Sequence, residues 1–281
     1  MTRNEAMRAA ARRLEAAGVE DALHDARRLM EKACALTPAG LIAGADAVLE
    51  GAEQACFEAL AARRAAREPL TQILESAGFW TLELRVTPDV LSPRADTETL
   101  VQAALDMIRD RAAPLQILDI ATGSGAILLA LLSECPMARG TGTDLSAAAL
   151  AIARENAGRC GLADRARFVQ ACWAQGVGGR FDLLTCNPPY IDSAVLETLE
   201  PEVRDFEPRM ALDGGPGGLA PYRGLLETAR ALLKPGAPAL FEIGYDQGAP
   251  VLALAREAGA AHARIVRDGG GRDRVLIVRF E

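Results

Sequence analysis

The sequence predicts an α/β protein with a mostly parallel sheet that ends in an antiparallel C-terminal hairpin and is preceded by a small helical domain. Three observations predict it. After about residue 97, apolar runs alternate regularly with helical stretches, the pattern of a parallel sheet with crossover helices. The first seventy or so residues instead carry Ala, Leu, Arg and Glu at helical spacing. The last two apolar runs are separated only by Asp268-Gly269-Gly270-Gly271-Arg272-Asp273, too short for a crossover helix. A chain of 281 residues exceeds the usual single-domain size, so two domains fit its length.

In chain order, helices are expected at Asn4 to Ala17, Leu23 to Leu36 and Ala52 to Arg67, punctuated by Gly18 and Thr37-Pro38. From Gly78 to Leu91 the texture turns alternating and aromatic (Phe79-Trp80-Thr81-Leu82-Glu83-Leu84-Arg85-Val86), which predicts a strand or hairpin joining two domains. Thr97 to Arg109 reads as an amphipathic helix. Strands follow at Gln116 to Ile120, Arg139 to Thr143, Arg167 to Gln170, Phe181 to Thr185, Pro238 to Ile243, Ala263 to Arg267 and Val275 to Phe280. The intervening helices are Ala126 to Ser133, Ala147 to Cys160 and Pro221 to Leu233, the last stopped by Lys234-Pro235-Gly236.

Composition narrows the function classes. Half the residues are apolar and a quarter charged, as in ordinary globular proteins. The formal charge of −7 gives no global footprint for nucleic acid, so no stable nucleic-acid binding is expected. Residues 1 to 72 hold ten basic and eleven acidic residues, so they form no basic arm. Six cysteines without a C-x-x-C pair, together with only His24 and His262, make zinc an unsuitable cofactor, and no metal is expected. The first residues have no signal-like apolar core and no run reaches about 18 apolar residues. The expectation is a cytoplasmic protein, free of the membrane, with reduced thiols.

Two segments carry chemistry. Ile117-Leu118-Asp119-Ile120-Ala121-Thr122-Gly123-Ser124-Gly125-Ala126 reads as a strand, a small-residue turn and a helix start. Ligands of open α/β sheets bind at such carboxyl ends, and glycines let a ligand lie against the backbone. Asp144 closes the next strand, nineteen residues beyond Gly125, where a carboxylate can accept both ribose hydroxyls of an adenosine or help Ser146 cap a helix. No Gly-x-x-x-x-Gly-Lys-Ser/Thr is present to grip a triphosphate.

The fourth predicted strand runs into Asn187-Pro188-Pro189-Tyr190, where two prolines fix φ and present carbonyls outward. A planar amide or ring amino nitrogen is a poor nucleophile because its lone pair is delocalised. The Asn187 side-chain oxygen and Pro188 carbonyl can accept its two N–H groups and point the lone pair at a reacting carbon, while Tyr190 offers an aromatic wall for a flat group. Asn187, Pro188 and Tyr190 are therefore the candidate catalytic residues, with Pro189 completing the substrate-binding turn.

The order of elements resembles the seven-stranded class I S-adenosylmethionine-dependent methyltransferase fold, and the chain looks like the bacterial peptide chain release factor N5-glutamine methyltransferases, the PrmC or HemK family. The similarity rests on Glu68-Pro69-Leu70, Phe79 to Val86, Val90-Leu91-Ser92-Pro93-Arg94 with Thr97-Glu98, the Gly loop, Asp144-Leu145-Ser146 and Asn156. It continues through Asn187 to Tyr190, Val203 to Pro208, Ala211 to Gly215, Glu242-Ile243-Gly244 and Gly271-Arg272-Asp273-Arg274.

The resemblance implies a helical substrate-docking domain over 1–74, a β-hairpin linker over 75–92 and a methyltransferase domain over 93–281. It further implies S-adenosylmethionine as cofactor, with S-adenosylhomocysteine as product. By it, Ala121, Thr122, Gly123, Ser124, Gly125, Asp144, Leu145, Cys172, Trp173 and Asn187 bind the cofactor, Cys172-Trp173 near the adenine. The implied substrate is the glutamine of the Gly-Gly-Gln motif in class I peptide chain release factors. Adenine N6 methyltransferases of DNA, guanine N2 methyltransferases of ribosomal RNA and a glutamine enzyme acting on a ribosomal protein use the same turn. An inactive, methyltransferase-like binding module is the alternative outside enzymes. The family usually has Gly at the position of Ala121 and commonly Asp at that of Cys172; an added methyl and a weak acceptor bear on cofactor affinity rather than reaction type. Arg94 and Glu98 are candidates for the pocket wall or for an ion pair at a helix start.

Overall fold

A computed structural model describes residues 1–281. The chain opens with α1 (Arg3–Ala16), started by a capping box: the Thr2 hydroxyl accepts from Glu5 N–H and the Glu5 carboxylate accepts from Thr2 N–H. Next come α2 (Ala22–Ala33), α3 (Pro38–Ala43), α4 (Gly51–Ala65) and α5 (Leu70–Leu74). Thr37-Pro38 does interrupt the helical pattern, and it also starts a new one. Thr37 caps α3, and Pro38 sits in the first turn, where its missing N–H costs nothing. Leu14, Leu29, Met30, Phe57 and Ile73 are fully buried together at the centre of these helices.

Residues Met1–Ser76 form one compact unit with Glu200–Phe206, a segment that returns from much later in the chain. Arg64 is the joint. Its Nε donates to Asp25 at 2.7 Å and its terminal nitrogen to Glu202 at 3.0 Å, with both Arg64 and Asp25 nearly out of water. Arg67 grips Glu202 through both carboxylate oxygens at 2.5 Å, and Gln72 Nε2 donates to the Phe206 carbonyl at 3.1 Å.

The second unit, Ala77–Leu199 with Glu207–Glu281, holds the sheet. The hairpin β1 (Ser76–Phe79) and β2 (Leu82–Arg85) leads through a short 3-10 turn into α6 (Glu98–Met107). Then follow β3 (Gln116–Ile120), α7 (Ala126–Glu134), β4 (Arg139–Asp144), α8 (Ala147–Arg159), β5 (Ala166–Gln170) and β6 (Leu183–Cys186). After α9 (Pro201–Arg204), which lies in the returning segment, come α10 (Ala220–Leu232), β7 (Pro238–Glu242), α11 (Gly248–Glu257), β8 (His262–Arg267) and β9 (Asp273–Arg279).

The seven strands of the main sheet stand in the order β5-β4-β3-β6-β7-β9-β8, parallel except for β9, which runs antiparallel between β7 and β8. The C-terminal hairpin is thus as the short Gly-rich link predicts. Asp268 stabilises that link by accepting from the Gly270 and Arg272 amides. β6 begins two residues later than expected: Phe181 makes only an isolated bridge to Leu233, and the Asp182 carboxylate turns to the Gln116 amide instead. Helix α11 escaped the sequence pattern because it opens on Gly248-Ala249-Pro250. A proline in the first turn removes a donor that has no intrahelical partner anyway.

Period-two alternation splits the central strands between two cores. Ile117, Leu183, Leu240 and Val275 face the layer of α6, α7 and α8; Leu118, Leu184, Phe241 and Leu276 face that of α10 and α11. β3 neighbours β4 on one side and β6 on the other, so connections leave it in opposite directions and open a crevice above its carboxyl end. Everything with chemical potential lies at that end.

Removing Arg64 leaves the buried Asp25 carboxylate without its cation. Arg64→Ala is expected to destabilise the first unit by about 3–5 kcal/mol, and to accelerate amide exchange selectively in residues 200–206. Urea unfolding with site-resolved hydrogen exchange checks this; unchanged exchange in that segment would show that the ion cluster does not hold it.

Candidate active site

The Gly loop is held from below by Asp119. Ile117 and Asp119 point to one face of β3, and Asp119 pairs in register with Thr185 of β6. Its carboxylate accepts from the Thr122 hydroxyl at 2.6 Å and from the Thr185 hydroxyl at 2.7 Å. One buried anion therefore ties the loop after β3 to the strand that carries Asn187. Burial pushes the Asp119 carboxyl up to about 7, although the Thr122 and Thr185 hydrogen bonds pull it back down. Asn156 of α8, fully buried, fastens the loop from its other side: its amide donates to the Ser124 and Arg85 carbonyls at 2.9 and 3.1 Å and accepts from Arg85 N–H at 2.7 Å.

Asp144 shapes the loop as well as facing it. One carboxylate oxygen accepts from Gly123 N–H and the other from Ser146 N–H, both at 2.9 Å. Ser146 itself caps α8, so the helix-capping reading belongs to Ser146, with Asp144 bracing it. Gly123 adopts φ +53° with open space where a side chain would project, so both its backbone and its free face suit a ligand lying on the turn.

A single cavity forms above these strand ends. Ala121, Thr122, Gly123 and Ser124 border it from the loop, Asp144 and Leu145 from β4, Cys172 and Trp173 after β5, and Asn187 and Pro189 after β6. Phe79, Val90 and Ile127 supply apolar wall that the sequence reading did not assign. Three named candidates stand behind the wall instead. Gly125 caps α7 close against Ala153, Pro188 is buried, and Tyr190 is turned away so that its hydroxyl donates to Glu242 at 3.1 Å. Asn187 Nδ2 donates to the Thr97 hydroxyl at 3.4 Å. Arg94 does border the cavity, but its ion-pair partner is the buried Glu207 at 2.7 Å; Glu98 accepts from the Trp80 amide.

The backbone of the Asn187 turn is clamped from above. Gln247 Nε2 donates to the Tyr190 carbonyl at 2.9 Å, and a Cβ at Gly218 would collide with that same oxygen. Residues 211 to 218 thus lie directly on the turn, with an isolated bridge between Ile191 and Asp213, rather than forming a free excursion.

Comparison with known proteins adds the family. Residues 5–74 match the PrmC N-terminal domain and residues 95–200 the methyltransferase small domain. The release factor glutamine methyltransferase of Caulobacter vibrioides is 44% identical over 278 residues, covering 99% of this chain and 96% of that one. That of Moorella thermoacetica is 44% identical, covering 99% and 98%. The chain belongs to the release factor glutamine methyltransferase family. Among solved structures, the hMettl16 catalytic domain in complex with a MAT2A 3'UTR hairpin aligns with TM-score 0.59 at 16% identity, covering 79% of this chain and 82% of that one. A Pyrococcus furiosus methyltransferase aligns with TM-score 0.51 at 18% identity, covering 70% and 88%. Both show the fold, the class I methyltransferase sheet.

Two departures from the family pattern have physical content here. Ala121 sits at φ +55°, a left-handed conformation that suits the family's usual Gly and costs an alanine about 1–2 kcal/mol. Cys172 borders the cavity as an exposed thiol where the family commonly places a carboxylate.

The buried Asp119 carboxyl makes stability depend on pH in a defined sense. A carboxyl raised in the folded state contributes stability that is complete below its unfolded range, about pH 4, and is lost as pH rises through about 7. Asp119→Asn, of equal size and able to bond both hydroxyls, is expected to flatten the fall in unfolding free energy across that window. Denaturant titrations at several pH values check it, and an unaltered slope would remove Asp119 as its source.

Proposed function

We infer that the protein transfers the methyl group of S-adenosylmethionine to the side-chain amide nitrogen of a glutamine, that of the Gly-Gly-Gln motif in class I peptide chain release factors. The observation that carries this reading is the placement of Asn187 and Pro189 and of the Asp144-braced Gly loop at adjacent strand ends, opening on one cavity. Full-length similarity to release factor glutamine methyltransferases supports the substrate.

The residues present suit the cofactor. Each Asp144 oxygen takes one backbone N–H, and a carboxylate has about four acceptor positions, so two remain for the ribose hydroxyls. Gly123 leaves the loop open for the methionine and ribose portion, and the side chains of Phe79, Val90, Ile127 and Trp173 give apolar surface for a flat base. When bound, S-adenosylmethionine supplies a methyl group on a positively charged sulfur, whose bond to that carbon breaks as the new carbon–nitrogen bond forms.

The protein's contribution is placement. The Asn187 side-chain oxygen, which borders the cavity, accepts an amide hydrogen of the target, which favours a pyramidal nitrogen and directs its lone pair to the methyl carbon. A near-attack separation of about 3–3.5 Å in line with the breaking bond is what such positioning achieves. The alkylated nitrogen is acidic and releases its proton to water, so no strong base is required. Tyr190 serves by anchoring the turn through Glu242. The N-terminal helical unit offers docking surface for the release factor. No helix is long and apolar enough to cross a membrane, and a substrate from translation termination supports a cytoplasmic location.

The test is a mass spectrum of tryptic release-factor peptides after incubation with enzyme and cofactor: one added methyl on the Gly-Gly-Gln glutamine is expected. Label entering DNA but not release factor would overturn the assignment. Asn187→Ala is expected to lower turnover at least about 100-fold while circular dichroism and melting stay near wild type. Asp144→Ala removes acceptors worth about 1.5–3 kcal/mol as charged hydrogen bonds, so calorimetry should show cofactor affinity weakened by roughly 10- to 100-fold; undiminished binding would release Asp144 from that role.

A further inference from the structure

Four strand ends stand side by side under the cavity. Ile120 of β3 pairs with Cys186 of β6 and with Thr143 of β4, and Asp144 pairs with Gln170 of β5. Asn187, Ala121, Asp144 and Gln170 therefore lie at one level, with Cys172 two residues beyond the last. Neighbouring strands are about 4.8 Å apart, so the row is roughly 14 Å long. The cofactor is laid along it by its own chemistry. Its methyl has to face Asn187 and its ribose the Asp144 carboxylate, which leaves the base, on the far side of the ribose, over the end of β5, where Ala171, Cys172 and Trp173 border the cavity.

Apolar surface is plentiful at this end. Val90 packs with Ala149 of α8, Leu145 is half exposed beside them, and Trp173 leans on the core of α10 and α11. Strong hydrogen-bond acceptors are scarce. The Asp144 carbonyl already takes the Ala171 amide, that of Leu145 the Gln170 side chain and that of Cys172 the Gln175 amide, each at 3.0 Å. Ser146 Oγ takes the Ala149 N–H at 3.1 Å, and the Asp89 carboxylate takes the Thr87 hydroxyl within its own turn at 3.2 Å. The polar side chain that the end of β5 itself supplies to the cavity is Cys172, an exposed thiol whose sulfur accepts only weakly.

We propose that Cys172 is a specificity-determining residue that makes the site indifferent to the exocyclic amine of the adenine: the base is held by shape and stacking, and no strong acceptor reads its N–H groups. The inference rests on the S-adenosylmethionine reading of the cavity and is independent of which nitrogen receives the methyl. A site separates two bases that differ by one polar group strongly only where it holds a buried partner that the wrong base leaves unpaired. Cys172 is not such a partner. A thiol loses little when the amine is missing, and its exposure lets water take the amine hydrogens instead. An oxygen acceptor at the same position reverses this, because a carboxylate forms a charge-assisted hydrogen bond with adenine and none with a base that lacks the amine.

The test is calorimetric binding of two ligands, S-adenosylhomocysteine and its analogue with purine in place of adenine, which lacks the exocyclic amine alone. The ratio of the two affinities within each protein is the readout, so a general change in cofactor affinity cancels. Wild-type protein is expected to bind the two within about threefold of each other, since only a weak acceptor is lost. Cys172→Asp is expected to favour the adenine ligand by about 10-fold or more, and Cys172→Ser to fall between. Melting curves confirm that both variants are folded. A wild-type preference for adenine of about 10-fold or more overturns the proposal, because another group then reads the amine; collapse of that preference in Asp89→Asn would name the Asp89 carboxylate as the reader. A Cys172→Asp ratio equal to that of wild type also overturns it, since the amine edge then does not face this position. If wild-type protein binds neither ligand, the cofactor reading itself fails, an outcome distinct from either altered ratio.

Discussion

The two sides of this active site are joined by one hydrogen-bonded anion. Asp119 reaches from β3 to the Thr122 hydroxyl in the Gly loop and to the Thr185 hydroxyl one strand over, two residues before Asn187. Methyl transfer demands that a carbon held by the loop and a nitrogen held by the turn meet in line, to within a fraction of an ångström. Loops borne on separate strands drift unless something fixes their roots together. Here the fixing group is a carboxylate with no exposure to water, braced by parallel strand hydrogen bonds on both sides of β3.

Such a joint is costly in itself, since burying a carboxylate opposes its ionisation. The structure offsets the cost with short-range donors rather than with a countercharge. Asp119 accepts from two hydroxyls and Glu242 from the hydroxyl of Tyr190. A salt bridge would stabilise the ion more strongly, but hydroxyls have direction, and direction is what a positioning network transmits. The sheet and its helices contribute the dry, close-packed surroundings that give these bonds their strength.

The segment Glu200–Phe206 plays a different structural part. It leaves the catalytic unit shortly after the Asn187 turn, is captured by Arg64, Arg67 and Gln72 of the N-terminal unit, and re-enters at Glu207, whose buried carboxylate takes the Ser92 amide and Arg94.

Local patterns were enough to specify the strands and most helices, because period-two and period-3.6 apolar spacing report burial directly. Chemistry of single residues was equally legible: a Gly loop after a strand, an aspartate at the next strand end, and a proline-stiffened Asn187 turn all carry their meaning in a few consecutive positions. Elements that defied those patterns were missed for local reasons, α11 for its Gly and Pro start and α3 for the proline that was read only as a stop. What the tertiary structure alone decided are the contacts between residues distant in sequence. Tyr190 was expected as a wall, yet Glu242, fifty-two residues on, draws its hydroxyl away from the cavity. Arg94 was expected at the pocket wall or in an ion pair at a helix start; it borders the cavity, and the partner that holds it there is Glu207, across 113 residues of chain. Hydrogen bonds of this kind leave no periodic trace in a sequence. They exist only once the sheet order has brought β7 beside β6 and the returning loop over the strand ends.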